Sequence, residues 1–196
     1  MPEPVLRAVL LFGAPGVGKG TQGQRLGRLP HFIHLSTGEM FRGLDKNSPL
    51  GREVRSFSER GLLVPDELTI RIFREHVHGL IASHLFDPAT DTLVLDGIPR
   101  NVNQCRILDR EIRVVRVIHL LSSNEEAMVA RMKKRALVEG RKDDADEAII
   151  RRRFEVYRRE TAPVLEYYPP DLVLEVDALG TPDEVAAAIQ KGLLEK

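Results

Sequence analysis

Nine consecutive residues constrain this chain more than anything else in it: Gly13-Ala14-Pro15-Gly16-Val17-Gly18-Lys19-Gly20-Thr21, directly after the apolar run 5–12 (VLRAVLLF). A short apolar run that ends at glycine reads as a strand buried on both faces of a parallel sheet. Glycines then let the backbone turn its N–H groups inward around an anion, and the helix that follows adds its positive dipole end. Gly13, Gly18 and Lys19 stand at the spacing of a phosphate-binding P-loop, in which the lysine reaches the outer phosphates of a nucleotide. The cradle is expected to consist of Gly16, Val17, Gly18, Lys19, Gly20 and Thr21. Gly20 occupies the place where a hydroxyl residue commonly follows the lysine, with Thr21 one position later.

Further apolar runs at 32–35, 92–95, 114–121 and 172–176 predict four more strands. Between them lie helix-start signals: Ser48 before Pro49, Asp66 before Glu67, Asn124 before two glutamates, and Thr181 before Pro182. Alternating strands and helices predict an α/β fold, a five-stranded parallel sheet with helices on both faces and ligands at the strands' carboxyl ends. The 196 residues suit one domain. Two strandless intervals, 36–80 and 122–170, predict small insertions on that core.

Composition narrows the partners. Charged residues balance to a net charge of zero, so no global field attracts nucleic acid or an anionic membrane. Arginine outnumbers lysine 22 to 7, which favours the planar cation that grips phosphate bidentately, and the argument turns on where the arginines sit. Cys105 is the one cysteine, which excludes an intramolecular disulfide and a CxxC zinc site; it is expected to pack as a small apolar side chain. The six histidines show no metal-ligand spacing, so no zinc is expected. No apolar stretch approaches a membrane span and no cleavable leader is legible, so the cytoplasm is the expected compartment.

Three segments carry further chemistry. Ser36 or Thr37 caps a helix in Ser36-Thr37-Gly38-Glu39-Met40-Phe41-Arg42, with Glu39 near its positive end. Asp96 opens Asp96-Gly97-Ile98-Pro99-Arg100 at the end of a strand, where a carboxylate beside a P-loop can hold hydrated magnesium. From Arg131 to Arg159 there are 11 basic and 6 acidic residues. Converging guanidiniums suit phosphoryl transfer, which leaves charge on the migrating oxygens. Arg131 and Arg135, four apart, share a helix face; Gly140 then breaks the helix before another begins near Ala145. Arg151, Arg152, Arg158 and Arg159 read as solvated helix faces with charge pairs.

These segments resemble, in order, the motifs of adenylate kinases within the nucleoside monophosphate kinases, from Gly13 to Gly180. The P-loop is similar to their GxPGxGKGT, and residues 36–42 to STGDMLR. Gly61-Leu62-Leu63-Val64-Pro65-Asp66 is similar to GxxVPD, and 96–100 followed by Gln104 to DGFPR with its glutamine, Ile98 replacing Phe. Residues 131–157 resemble the RxxxR, GRxDD and RRxxxY elements of the short-lid type, and 176–180 an adenine-contacting loop. The resemblance implies a P-loop NTPase-type core over 1–35, 65–130 and 145–196, a helical NMP-binding insertion over 36–64 and a short lid over about 134–144. It implies ATP at residues 16–21, Arg131, Arg135 and Gly180. It implies AMP at Thr37, Arg42, Leu62, Leu63, Val64, Gly97, Ile98, Pro99, Arg100, Gln104, Arg141 and Arg153. Lys19, Arg100, Arg135, Arg141 and Arg153 would be catalytic, Asp96 would hold Mg2+ through water, and zinc would be absent. The implied reaction is Mg-ATP + AMP to 2 ADP by a cytoplasmic monomer. A UMP/CMP kinase and a non-catalytic P-loop regulator remain open alternatives.

Overall fold

The computed structural model describes residues 5–141 and 144–194. Lys142 and Asp143, which belong to the basic segment and to its GRxDD resemblance, lie outside them. Among the described residues, β1 (Leu6–Phe12), β2 (Phe32–Ser36), β3 (Thr92–Asp96), β4 (Ile112–Leu121) and β5 (Val173–Asp177) form one parallel sheet in the order β2-β3-β1-β4-β5. All five strands expected from the sequence are present, each within two residues of its apolar run. The last begins one residue late because Pro170–Leu172 forms a 3-10 turn.

Register places the functional edge. Ser36 pairs with Asp96, Asp96 with Leu11, and Phe12 with His119. The loops after β2, β3 and β1 therefore leave the sheet side by side.

Helices cover both faces. One face packs α4 (Asp66–Ala82) and α5 (Val102–Leu108) on the sheet through Ile70, Phe73, Val77, Cys105 and Leu108. The other packs α1 (Lys19–Leu26), α6 (Glu125–Glu139), α7 (Glu147–Val156) and α8 (Pro182–Leu194) through Leu26, Met128, Met132, Ile150, Phe154 and Ile189. Cys105 is fully buried, as its expected role as a small apolar side chain requires. A π-helical turn, Tyr157–Thr161, and a 3-10 segment, Ala162–Tyr167, lead from α7 back beneath α5.

The first long excursion holds α2 (Thr37–Gly43) and α3 (Pro49–Ser58) on a separate small core of Val54, Val64, Leu68 and Ile72. Ser36 caps α2 by accepting from Glu39 N, and Ser48 caps α3 by accepting from Gly51 N at 2.9 Å. Two helix starts differ from expectation. Asp66 is the first residue of α4 rather than its cap; Pro65 holds the cap position, and the Asp66 carboxylate is drawn to side chains across the structure. In the second excursion α6 ends at Gly140 with φ 65°, and α7 begins only after Asp146, whose carboxylate accepts from Ala148 N.

Candidate active site

The P-loop wraps from β1 into α1. Gly18 has φ 112°, and a Cβ added there would meet nothing within 4 Å, so the loop turns through a glycine-favouring conformation with clear space before it. Lys19 Nζ donates to Gly13 O at 2.7 Å and Ala14 O at 3.0 Å, which ties the ammonium across the loop. Gly16 and Val17 complete the turn, Gly20 lies in the first turn of α1, and Thr21 is exposed.

Burial pushes the Lys19 ammonium down, to about 8. The Asp96 carboxylate opposes that shift, and the guanidiniums of Arg100, Arg153 and Arg135 add to it. Four charged groups from three separate segments thus act on one ammonium. Phosphate would bind the charged form and hold the proton on it. ATP binding is therefore expected to take up a proton above pH 8 and to weaken by up to about tenfold per pH unit there. Calorimetry at pH 7 and pH 9, in buffers of different ionisation enthalpy, reads this directly. Between about 8 and 10.5 the unfolded chain holds more protons at this lysine than the folded one, so its contribution to stability rises with pH across that window.

Asp96 ends β3 with its carboxylate turned toward the P-loop: Oδ2 lies 3.7 Å from where a Cβ on Gly20 would stand. Among the described residues no three His, Cys, Asp or Glu side chains gather into a metal cage. A single hard oxygen ligand beside a phosphate cradle fits a hydrated Mg2+ whose remaining ligands are water and phosphate oxygens.

The loop after β3 is built tightly. Gly97 has φ 86°, and a Cβ there would lie 2.6 Å from Thr37 Oγ1 and 2.9 Å from Arg100 Nη2, so a side chain would displace both. The buried Thr37 hydroxyl donates to Gly97 O at 3.0 Å, and Arg100 Nε donates to the same oxygen at 2.9 Å. Ile98 and Pro99 are buried, Ile98 in the main core, so this stretch can offer a ligand its backbone rather than those side chains. Gln104 is 1% exposed; its Oε1 accepts from Arg100 N, and its Nε2 donates to Asp66. Arg42 lies at the end of α2 near Gly38. Val64 is buried, and Leu62 and Leu63 are half-buried in the turn before α4.

The arginines divide into two sets. Arg135 on α6 and Arg153 on α7 both pair with Asp144, a fully buried carboxylate, Arg135 Nε donating to Oδ2 at 2.7 Å and Arg153 to Oδ1. Arg141 donates to Glu139 at 2.6 Å, and Arg131 is exposed on α6. Arg151 bonds Glu147 four residues away on its own helix face and Glu126 on α6, Arg158 bonds Glu125 on α6, and Arg159 bonds its neighbour Glu160, all as exposed charge pairs. After β5, Asp177 accepts from Leu179 N, and Thr181 and Glu184 cap each other beside Gly180. Gln22 Nε2 donates to Pro182 O, which fastens this loop to α1 behind the P-loop.

Two residues in this arrangement escape a reading of the sequence alone. Asp144 counts there as one acid in a basic segment and as the end of the GRxDD resemblance, with no role of its own, although its place between two arginine-bearing helices is the available signal. Asp66 stands at a helix start and ends the stretch that resembles GxxVPD, and neither mark points to its amide partners.

The chain matches the family model described as Adenylate kinase over residues 11–172. It is similar to the adenylate kinase of Thermus thermophilus, 42% identical over 194 residues covering 95% of this chain and 97% of the relative. It is likewise similar to that of Leifsonia xyli subsp. xyli, 42% identical with 96% and 94% covered. The adenylate kinase of Maricaulis maris is 39% identical, with 96% and 99% covered.

Proposed function

The chain belongs to the adenylate kinase family, and from that premise we propose how its residues divide the work of moving the γ-phosphoryl group of ATP reversibly to AMP, giving two ADP. The observation that carries this reading is the convergence on Lys19 of Asp96, Arg100, Arg135 and Arg153. Cations from both sides of one lysine are what a reaction needs when charge spreads over a phosphoryl group in transit.

ATP sits with its phosphates in residues 16–21, under Arg131 and Arg135 and with its base toward Gly180. AMP sits over the first excursion, its phosphate between Arg42 and Arg100, its base near Thr37, the backbone at residues 62–64 and 97–99, and Gln104. Arg141 and Arg153 bridge the two nucleotides. Lys19, Arg100, Arg135, Arg141 and Arg153 are the catalytic groups. An AMP phosphate oxygen attacks in line, and the protein contributes positioning, charge neutralisation and exclusion of water. Asp96 would hold Mg2+ through water, and the ion would supply neutralisation of the negative charge on the ATP phosphates. Residues 1–35, 65–130 and 145–196 act as the core, 36–64 as the AMP-binding insertion and about 134–144 as the lid. The enzyme works in the cytoplasm, where both nucleotides are dissolved, as a monomer whose own helices cover both faces of its sheet. No helix among the described residues is long and apolar enough to cross a membrane.

A UMP/CMP kinase and a binding-only regulator are not favoured, since the relatives named above are adenylate kinases. The test is ADP formation from Mg-ATP offered AMP, UMP, CMP, GMP or no acceptor. Turnover is expected with AMP. Arg100→Ala is expected to raise KM for AMP by about 10- to 100-fold, the value of a charge-assisted contact, and to leave ATP affinity within about twofold. Equal loss at both sites would overturn the assignment of Arg100 to the acceptor.

A further inference from the structure

Among the described residues, the Asp66 carboxylate accepts from three side-chain amides. Oδ1 accepts from Asn101 Nδ2 and from Gln104 Nε2, both at 2.8 Å, and Oδ2 accepts from Asn103 Nδ2 at 2.7 Å. Burial pushes this carboxyl up, but Asn103, Asn101 and Gln104 together outweigh it and hold it below the usual carboxylate range. Asp66 is therefore ionised at neutral pH and can only accept.

At the other end of the Gln104 side chain stands a group that can only donate. Gln104 Oε1 accepts from Arg100 N at 2.8 Å. Turning the amide over would set its oxygen against a carboxylate and its NH2 against a backbone N–H, in a side chain that is only 1% exposed. A glutamine amide can ordinarily flip to suit its partner; this one is held in one orientation from both ends.

Orientation matters for reading a purine. A 6-aminopurine presents a donor at N6 beside an acceptor at N1 or N7, whereas a 6-oxopurine presents an acceptor at O6 beside a donor at N1. An amide free to flip serves either pattern. An amide fixed in one sense suits one and sets like groups together against the other, which is how a hydrogen-bonding site rejects a near-isostere. We propose that Asp66 is a positioning and specificity-determining residue for the acceptor base: by fixing the sense of the Gln104 amide it makes the site select a 6-amino over a 6-oxo purine. The same chain of contacts runs through Arg100 N, so it couples base reading to the residue assigned to the acceptor phosphate. This inference rests on the reading above that Gln104 faces the base of AMP.

The experiment compares kcat/KM for AMP with that for IMP, using Mg-ATP as donor. Three variants are measured: Gln104→Leu, Asp66→Asn, and the pair together. Asparagine can donate as well as accept, so Asp66→Asn removes one of the two constraints on the Gln104 amide and leaves only the Arg100 N–H to hold its sense. It is expected to lower the AMP-to-IMP ratio at least tenfold, through a higher KM for AMP and a lower one for IMP, with KM for ATP unchanged. Gln104→Leu is expected to collapse the ratio by itself, and adding Asp66→Asn should lower it no further. A ratio unaffected by Gln104→Leu would overturn the placement of Gln104 at the base. A ratio that falls with Gln104→Leu and stays unchanged with Asp66→Asn would leave that placement standing and overturn the role of Asp66. Equal losses with AMP and IMP in Asp66→Asn would also overturn it, since those mark a merely structural residue. If Asp66→Asn does not fold, Asp66→Ser, which also donates and accepts, is read by the same criteria.

Discussion

Asp144→Asn is expected to lower kcat by about 100-fold and to cost about 2–4 kcal/mol of stability. The Asp144 side chain is fully buried, while those of Arg135 and Arg153 are 28% and 22% exposed. Removing one partner of a buried pair leaves the remaining charge without compensation, which costs about 3–5 kcal/mol when both partners are buried; water at the two arginines reduces it here. For a chain of this size that corresponds to a melting temperature lower by about 5–12 °C. The catalytic loss follows from geometry, because Asp144 is the contact that sets two guanidiniums from different helices toward one region, and a group displaced by about 1 Å can lose about 100-fold in rate. Thermal unfolding and steady-state rates with both nucleotides check the two effects separately. A variant that melts within about 2 °C of the parent and turns over at its rate would show that the arginines are oriented by something else.

Lys19→Met is expected to lower kcat by about 100- to 1,000-fold while the protein melts within about 3 °C of the parent. The catalytic effect is that of deleting one preorganised cation aimed at the migrating phosphoryl group. Stability changes little because two terms oppose each other. Burial and three nearby guanidiniums disfavour the charged lysine, and methionine relieves that cost. Against it, Gly13 O and Ala14 O each lose a donor. A rate near that of the parent would remove Lys19 from the catalytic groups, whatever the stability.

The fold was legible because its signals are local. Each strand is a short apolar run, and helices α2, α3, α5, α6 and α7 each begin at a side chain that accepts from its own first turn. The phosphate cradle was legible for the same reason, since strand, glycines and lysine are contiguous. Asp66 shows where this ends. At a helix start an aspartate has an obvious local use, and nothing nearby in the chain signals that its partners lie 35 to 38 residues away.

The sequence by itself therefore determined the class of the sheet, the strand that bears the P-loop, and the identities of the charged residues suited to phosphate. These depend on period, on turn chemistry and on residue type, all of which are read within a dozen positions. Only the tertiary structure decided which charges meet. It set Asp144 between Arg135 and Arg153, turned Thr37 onto Gly97 sixty residues on, and joined Asp66 through Gln104 to Arg100. A buried polar side chain must find a partner, and which partner is within reach is fixed by how the helices pack on the two faces of the sheet rather than by any neighbour along the chain.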